Sequence, residues 1–197
     1  MKLYTSKEIQ EITEVTEIQL SEWIKSGAIE PFDDKSRNGG IFMFDIENLI
    51  DIYLSKILSD LRLPNHVISS SLKQLHRFGS SKYRIGYAKN NGKRKSFWDQ
   101  YLRTYETKQW FFVIINKQKS SETGKLDNIF LNAYKEIGVI LPNDEKDIFL
   151  AFPVSKEKLL SVLEYAHLAI VLRLDEIVNM VLDKFPSEEL LFHQSVA

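Results

Sequence analysis

Thr16-Glu17-Ile18-Gln19-Leu20-Ser21-Glu22-Trp23-Ile24-Lys25-Ser26-Gly27-Ala28-Ile29-Glu30-Pro31 decides the fold of the first part of this chain. Thr16 followed three residues later by Gln19 has the form of a capping box, in which hydroxyl and carboxamide each satisfy an orphan amide at a helix start. Leu20, Trp23 and Ile24 follow at i, i+3 and i+4, which is one buried stripe. Gly27 suits a left-handed helix end, and Pro31 prevents a restart. Upstream, Thr5-Ser6-Lys7-Glu8 repeats the capping signal, with Ile9 and Ile12 facing inward. Two short helices joined by a tight turn is the helix-turn-helix pattern.

Downstream, Asn38-Gly39-Gly40 marks a hairpin tip, because the favoured two-residue turn needs positive φ. Asp45 caps a third helix with Leu49, Ile52, Tyr53, Ile57 and Leu58 at helical spacing. Leu61-Arg62-Leu63-Pro64 breaks it, and Asn65 caps a fourth with Val67, Ile68, Leu72 and Leu75 inward. Phe44 reads as a core residue, and Phe42 beside it shares that reading.

This order of capped helices, glycine-tipped hairpin and Pro-bounded helix pair over residues 3–76 resembles the winged helix-turn-helix of the MerR family of bacterial regulators. The resemblance implies double-stranded DNA as partner, a homodimer reaching two half-sites, and promoter binding and bending as mechanism. RNA polymerase or another protein is a further partner it implies. It places the second helix in the major groove. Thr16, Gln19, Ser21, Glu22 and Lys25 are then the candidate contacts, with Glu17, Gln19, Ser21, Glu22 and Lys25 expected on the exposed side. Gln19 suits adenine, and Ser21 or Lys25 suits phosphate. Lys35 and Arg37 lie on the expected wing, residues 33–40. The sequence departs from the family where an arginine is common, at Ser21 and Phe42, and where an aromatic is common, at Glu22. Two glutamates on a groove-facing helix repel phosphate.

Charge is segregated along the 197 residues. Residues 1–78 carry nine Lys/Arg against twelve Asp/Glu, residues 79–110 eight against two, and residues 111–197 nine against thirteen. Lys82, Arg84 and Gly86 alternate with Tyr83, Ile85 and Tyr87 before Asn90-Asn91-Gly92, and Lys93-Arg94-Lys95 follows, which reads as a basic β-hairpin. Lys93, Arg94 and Lys95 are expected to supply the phosphate attraction that the acidic second helix lacks.

The rest carries no chemical signature. Trp110-Phe111-Phe112-Val113-Ile114-Ile115 and the run from Ile148 to Val154 read as buried strands. A polar loop over 117–124 and a helix from Leu126 to Ile137 lie between them. Ser155 caps a helix with Leu159, Leu160, Val162 and Leu163 inward. Residues 169–174 read as a third strand with a helix from Asp175; one long helix that pairs with another chain is the alternative. Trp98, Tyr101, Tyr105 and Trp110 read as core before pocket.

The expected fold is α+β: a winged helix-turn-helix over 1–78, a basic hairpin or linker over 79–109, and an α/β dimerisation or effector domain with a small sheet over 110–197. Absence of cysteine excludes disulfides and thiolate chemistry and suits a reducing cytoplasm. No stretch approaches the roughly 20 apolar residues of a membrane helix, and no apolar signal region opens the chain. His66, His76, His167 and His193 show no ligand spacing, and no phosphate loop, nucleophile elbow or metalloprotease motif occurs. No metal, cofactor or enzymatic activity is expected. A protein-interaction module that lost DNA affinity, or a small recombination or excision architecture factor, are the competing functions.

Overall fold

Hydrogen-bonded helix ends determine how the N-terminal part is laid out. The computed structural model describes residues 2–32, 41–82, 98, 101, 109–116, 149–163 and 169–185. Strand β1 (Tyr4–Thr5) leads into α1 (Ser6–Thr13), and α2 (Glu17–Lys25) follows after a three-residue turn. Thr5 caps α1: its hydroxyl accepts from the Glu8 amide, and the Glu8 carboxylate accepts from the Thr5 amide at 2.7 Å. Those bonds from the Thr5 amide and hydroxyl hold the Glu8 carboxyl below the usual carboxylate range. Glu14, at φ 60°, ends α1 in the left-handed region.

The α2 terminus is a Schellman motif. Ala28 donates to the Trp23 carbonyl at 2.9 Å and Gly27 to that of Ile24 at 3.0 Å, with Gly27 at φ 69°. Strand β2 (Met43–Phe44) pairs antiparallel with β1, setting Tyr4 opposite Phe44. Asp45 then caps α3 (Ile46–Asp60) in a reciprocal box with Asn48. The Asn48 side-chain Nδ2 also donates to the Glu30 carbonyl at 2.9 Å, tying the start of α3 to the segment that leaves α2. Every residue from Asn48 to Ser55 is buried, so these two turns of α3 are covered on all sides. It ends like α2, but with Arg62 at the left-handed position, φ 61°.

Helix α4 (Asn65–Lys82) buries Val67, Ile68, Leu72 and Leu75, as their spacing predicts. Its start corrects the expected cap. Ile68 donates to the Pro64 carbonyl at 3.1 Å, which makes Pro64 the capping residue and Asn65 the first helical one. The helix also runs through Gly79 to Lys82, so the boundary expected at residue 78 falls inside it.

Residues 1–69 with 176–197 form one compact unit, and residues 70–175 form another. In the second, β3 (Trp110–Asn116), β4 (Phe149–Ser155) and β5 (Ala169–Arg173) make a sheet ordered β4-β3-β5. Both outer strands run antiparallel to β3, and α5 (Lys156–Leu163) connects them, a split β-α-β arrangement. Among the described residues the sheet is therefore antiparallel, which is α+β in type where an α/β C-terminal half was expected. Phe112, Val113, Ile114 and Ile115 of β3 are buried on both faces of the sheet. On α5, Val162 is buried but Leu160 is 75% exposed, so Leu160 does not join the inward face. Trp98 and Tyr101 are buried and meet edge to face at 5.7 Å, which is a core arrangement.

Gln74 of α4 closes the outer side of β4. Its carboxamide accepts from the Ala151 amide at 2.9 Å and donates to the Phe149 carbonyl at 3.3 Å, as a neighbouring strand would. Alternation along β4 makes Pro153 face the same way, so the position without an N–H lies on the outer edge.

After β5, helix α6 (Leu174–Lys184) settles the ambiguous segment as strand followed by helix. Arg173 holds Asp175 at 2.6 Å across that junction. Residues from Glu176 onward belong to the first unit, where Ile177, Val178, Val181 and Phe185 are buried. Phe185 meets Tyr4 edge to face at 5.0 Å, and Lys184 lies 5.4 Å from the Tyr53 ring centroid. Contact with the Tyr53 phenol raises the Lys184 ammonium above its ordinary value.

Replacement Gln74→Leu leaves the Ala151 amide and Phe149 carbonyl without these partners. Urea unfolding should show a loss of about 2 kcal/mol, the cost of burying unpaired backbone groups.

Candidate nucleic-acid interface

One side of α2 is rooted and the other open. Leu20 and Trp23 are buried, and Ala28 and Ile29 continue the buried surface beyond the Schellman turn. Glu17, Ile18, Glu22 and Lys25 are exposed, while Gln19, Ser21 and Ile24 are half-buried. On the helix surface Glu17, Ser21 and Lys25 succeed one another at four-residue spacing, with Ile18 and Glu22 in the adjacent row. Thr16, Ser21, Glu22 and Lys25 thus share one helix and its cap.

Gln19 stands differently from the free reader expected of it. Its Oε1 accepts from the Thr16 amide and from the Thr16 hydroxyl, each at 3.0 Å, and the Thr16 hydroxyl accepts from the Gln19 amide at 3.2 Å. A bidentate contact to adenine needs that same oxygen. Gln19 is thereby a capping residue first. Base reading by its carboxamide would require opening the first turn of α2.

Glu22 is also engaged. The Asn65 side-chain amide donates to its carboxylate, joining α2 to the first turn of α4. A carboxylate at a helix N-terminus is favoured by the unsatisfied amides and dipole there. Ser69 of α4 donates to the Ser26 carbonyl at 3.0 Å, a second tie at the far end of α2. These two bonds fix the orientation of α2 against α4.

Ile18 is the residue that sequence reasoning misses. It is 72% exposed, among the most exposed large apolar side chains described. Its phase holds the signal: two residues before Leu20 is about 200° around the helix, opposite the buried stripe. Lys35, Arg37, Lys93, Arg94 and Lys95, with the expected wing and the helix over 126–137, lie outside the described residues. Of the expected basic hairpin or linker over 79–109, residues 79–82 are described and belong to α4, so Lys82 is helical where a strand was expected. Among the described residues, no group of three His, Cys, Asp or Glu side chains is arranged to hold a metal ion. No described helix is long and apolar enough to cross a membrane.

No protein-family model matches this chain, and no curated protein is similar enough to count as a match.

Thr16→Ala removes the cap hydroxyl and should lower stability by about 1 kcal/mol in urea unfolding. Gln19→Glu keeps an acceptor for the Thr16 amide and should leave the midpoint nearly unchanged. Equal destabilisation by both would mean that Gln19 does not act through the cap.

Proposed function

We propose that this chain binds double-stranded DNA as a winged helix-turn-helix transcription regulator of the MerR-like type, acting as a homodimer in the cytoplasm. One observation carries the reading. The second of two box-capped helices is anchored through Leu20 and Trp23 and presents Glu17, Ile18, Glu22 and Lys25 to solvent. A reading helix must be rigid behind and open in front. The bonds from Asn65 and Ser69 supply the rigidity.

The acidic front face needs cations from elsewhere. Lys93, Arg94 and Lys95, within the stretch of eight basic against two acidic residues, are the source this reading assigns. Lys35 and Arg37 of the wing add to them, and Lys25 and Ser21 serve phosphate from α2 itself. RNA polymerase or another protein would receive the signal. A second reading, a protein-interaction module on the same scaffold, is favoured by the exposed Ile18 between two glutamates. An apolar anchor with a charged rim is the composition of a protein contact.

Selection from random duplexes at low salt separates the two. Enrichment of a two-fold symmetric motif is expected, and absence of any enrichment overturns the regulator. On the enriched duplex, triple replacement of Lys93, Arg94 and Lys95 by alanine should reduce the salt slope by about 2 to 3. Glu22→Gln keeps an acceptor for Asn65 and removes one negative charge from the front of α2. It should tighten duplex binding by about threefold at low salt, with a loss of about 0.5 kcal/mol in urea unfolding from the charge removed at the start of α4.

A further inference from the structure

We propose that Ile18 reads the 5-methyl group of a thymine in the major groove and sets the base preference of α2; this rests on the duplex-binding reading above. Ile18 is the second residue of α2 and 72% exposed. In helices that enter the major groove, N-terminal residues reach the base edges. The polar side chains around it are engaged or drawn back. Gln19 gives its Oε1 to Thr16, Glu22 takes the Asn65 amide, and Ser21 is half-buried.

An isoleucine side chain has no donor or acceptor. The apolar feature that bases offer in the major groove is the thymine methyl. Contact between the two removes apolar surface of both from water. Over a G·C pair the same side chain would cover the purine N7 and O6 or the cytosine amino group and replace their water with nothing. That cost works against G·C as the methyl contact works for A·T. Ile18 thus discriminates by attraction and by exclusion.

Glu17 and Glu22 sharpen the distinction from phosphate contact. Two carboxylates flank Ile18 and repel phosphate, so within the duplex-binding reading its apolar contact is with a base. Its neighbours leave an apolar base edge as the matching surface.

The test uses the full chain and the duplex enriched by selection. Each thymine is replaced in turn by deoxyuridine, which removes the methyl and keeps the base pairing. Binding is measured for the native protein and for Ile18→Ala. At one position per half-site the native protein should lose about fourfold in affinity, the worth of one buried methyl-sized group. Ile18→Ala should bind thymine and deoxyuridine duplexes equally there, with its unfolding midpoint unchanged because the side chain is exposed. If every deoxyuridine duplex affects the two proteins alike, Ile18 does not read thymine, while duplex binding itself stands. If no duplex is enriched, the regulator reading and this inference fall together.

Discussion

The bond between Thr16 and Gln19 sets the phase of α2, and most of what faces outward follows from that phase. A helix that begins one residue later would turn every side chain by about 100°. The reciprocal cap prevents the slip, because both partners must sit three residues apart at the first turn. With the start fixed, Leu20 and Trp23 enter the core together and Ile18 is left outside. The Schellman turn at Gly27 fixes the other end. Between two determined ends, nine residues have little freedom in what they present.

Signals confined to three or four residues are legible in the amino-acid sequence. The caps at Thr5, Thr16 and Asp45, the stop at Gly27 and the break after Leu61 are local chemistry, and each occurs where its residues imply. The strand and helix over 169–184 are legible too, since Ile170 and Val171 favour a pleated surface. What local patterns miss is competition for the same atom. The polar carboxamide of Gln19 suits DNA, yet the cap engages it first. Asn65 has the chemistry of a cap, but the Pro64 carbonyl opens α4, and the Asn65 amide goes to Glu22, 43 residues away. Gly79 has the chemistry of a boundary, but α4 continues through it. Gln74 carries no sequence signal at all. Its partners on β4 are more than 70 residues distant.

The C-terminal helix changes what counts as the first module. Residues 3–76 carry the pattern in the sequence, yet the compact unit includes residues from Glu176 onward. Phe185 against Tyr4 and Lys184 against Tyr53 join the end of the described chain to its beginning. Burial of Val178, Val181 and Phe185 represents about 5 to 8 kcal/mol of gross apolar transfer, before the entropy of ordering the helix is set against it. Contacts of such sequence separation carry a loop-closure cost that this burial offsets. The module is thus finished by a segment that a reading from the N-terminus alone would assign elsewhere.

Electrostatics give the last constraint. Two unit charges about 4 Å apart interact by only about 1 kcal/mol in bulk water, but more strongly where a groove excludes solvent. Glu17 and Glu22 are tolerable on an exposed helix and become costly against phosphates. Asn65 addresses half of that difficulty by holding the Glu22 carboxylate against the first turn of α4, where helix amides favour a negative charge. Glu17 sits at the first position of α2 and gains from its own helix in the same way. Both carboxylates are therefore stabilised by helix starts, and each stabilises the scaffold that presents Ile18. Removing them to improve phosphate attraction would weaken the geometry that the attraction is meant to serve. An acidic reading helix with cations provided from another part of the chain is a consistent resolution of those two demands.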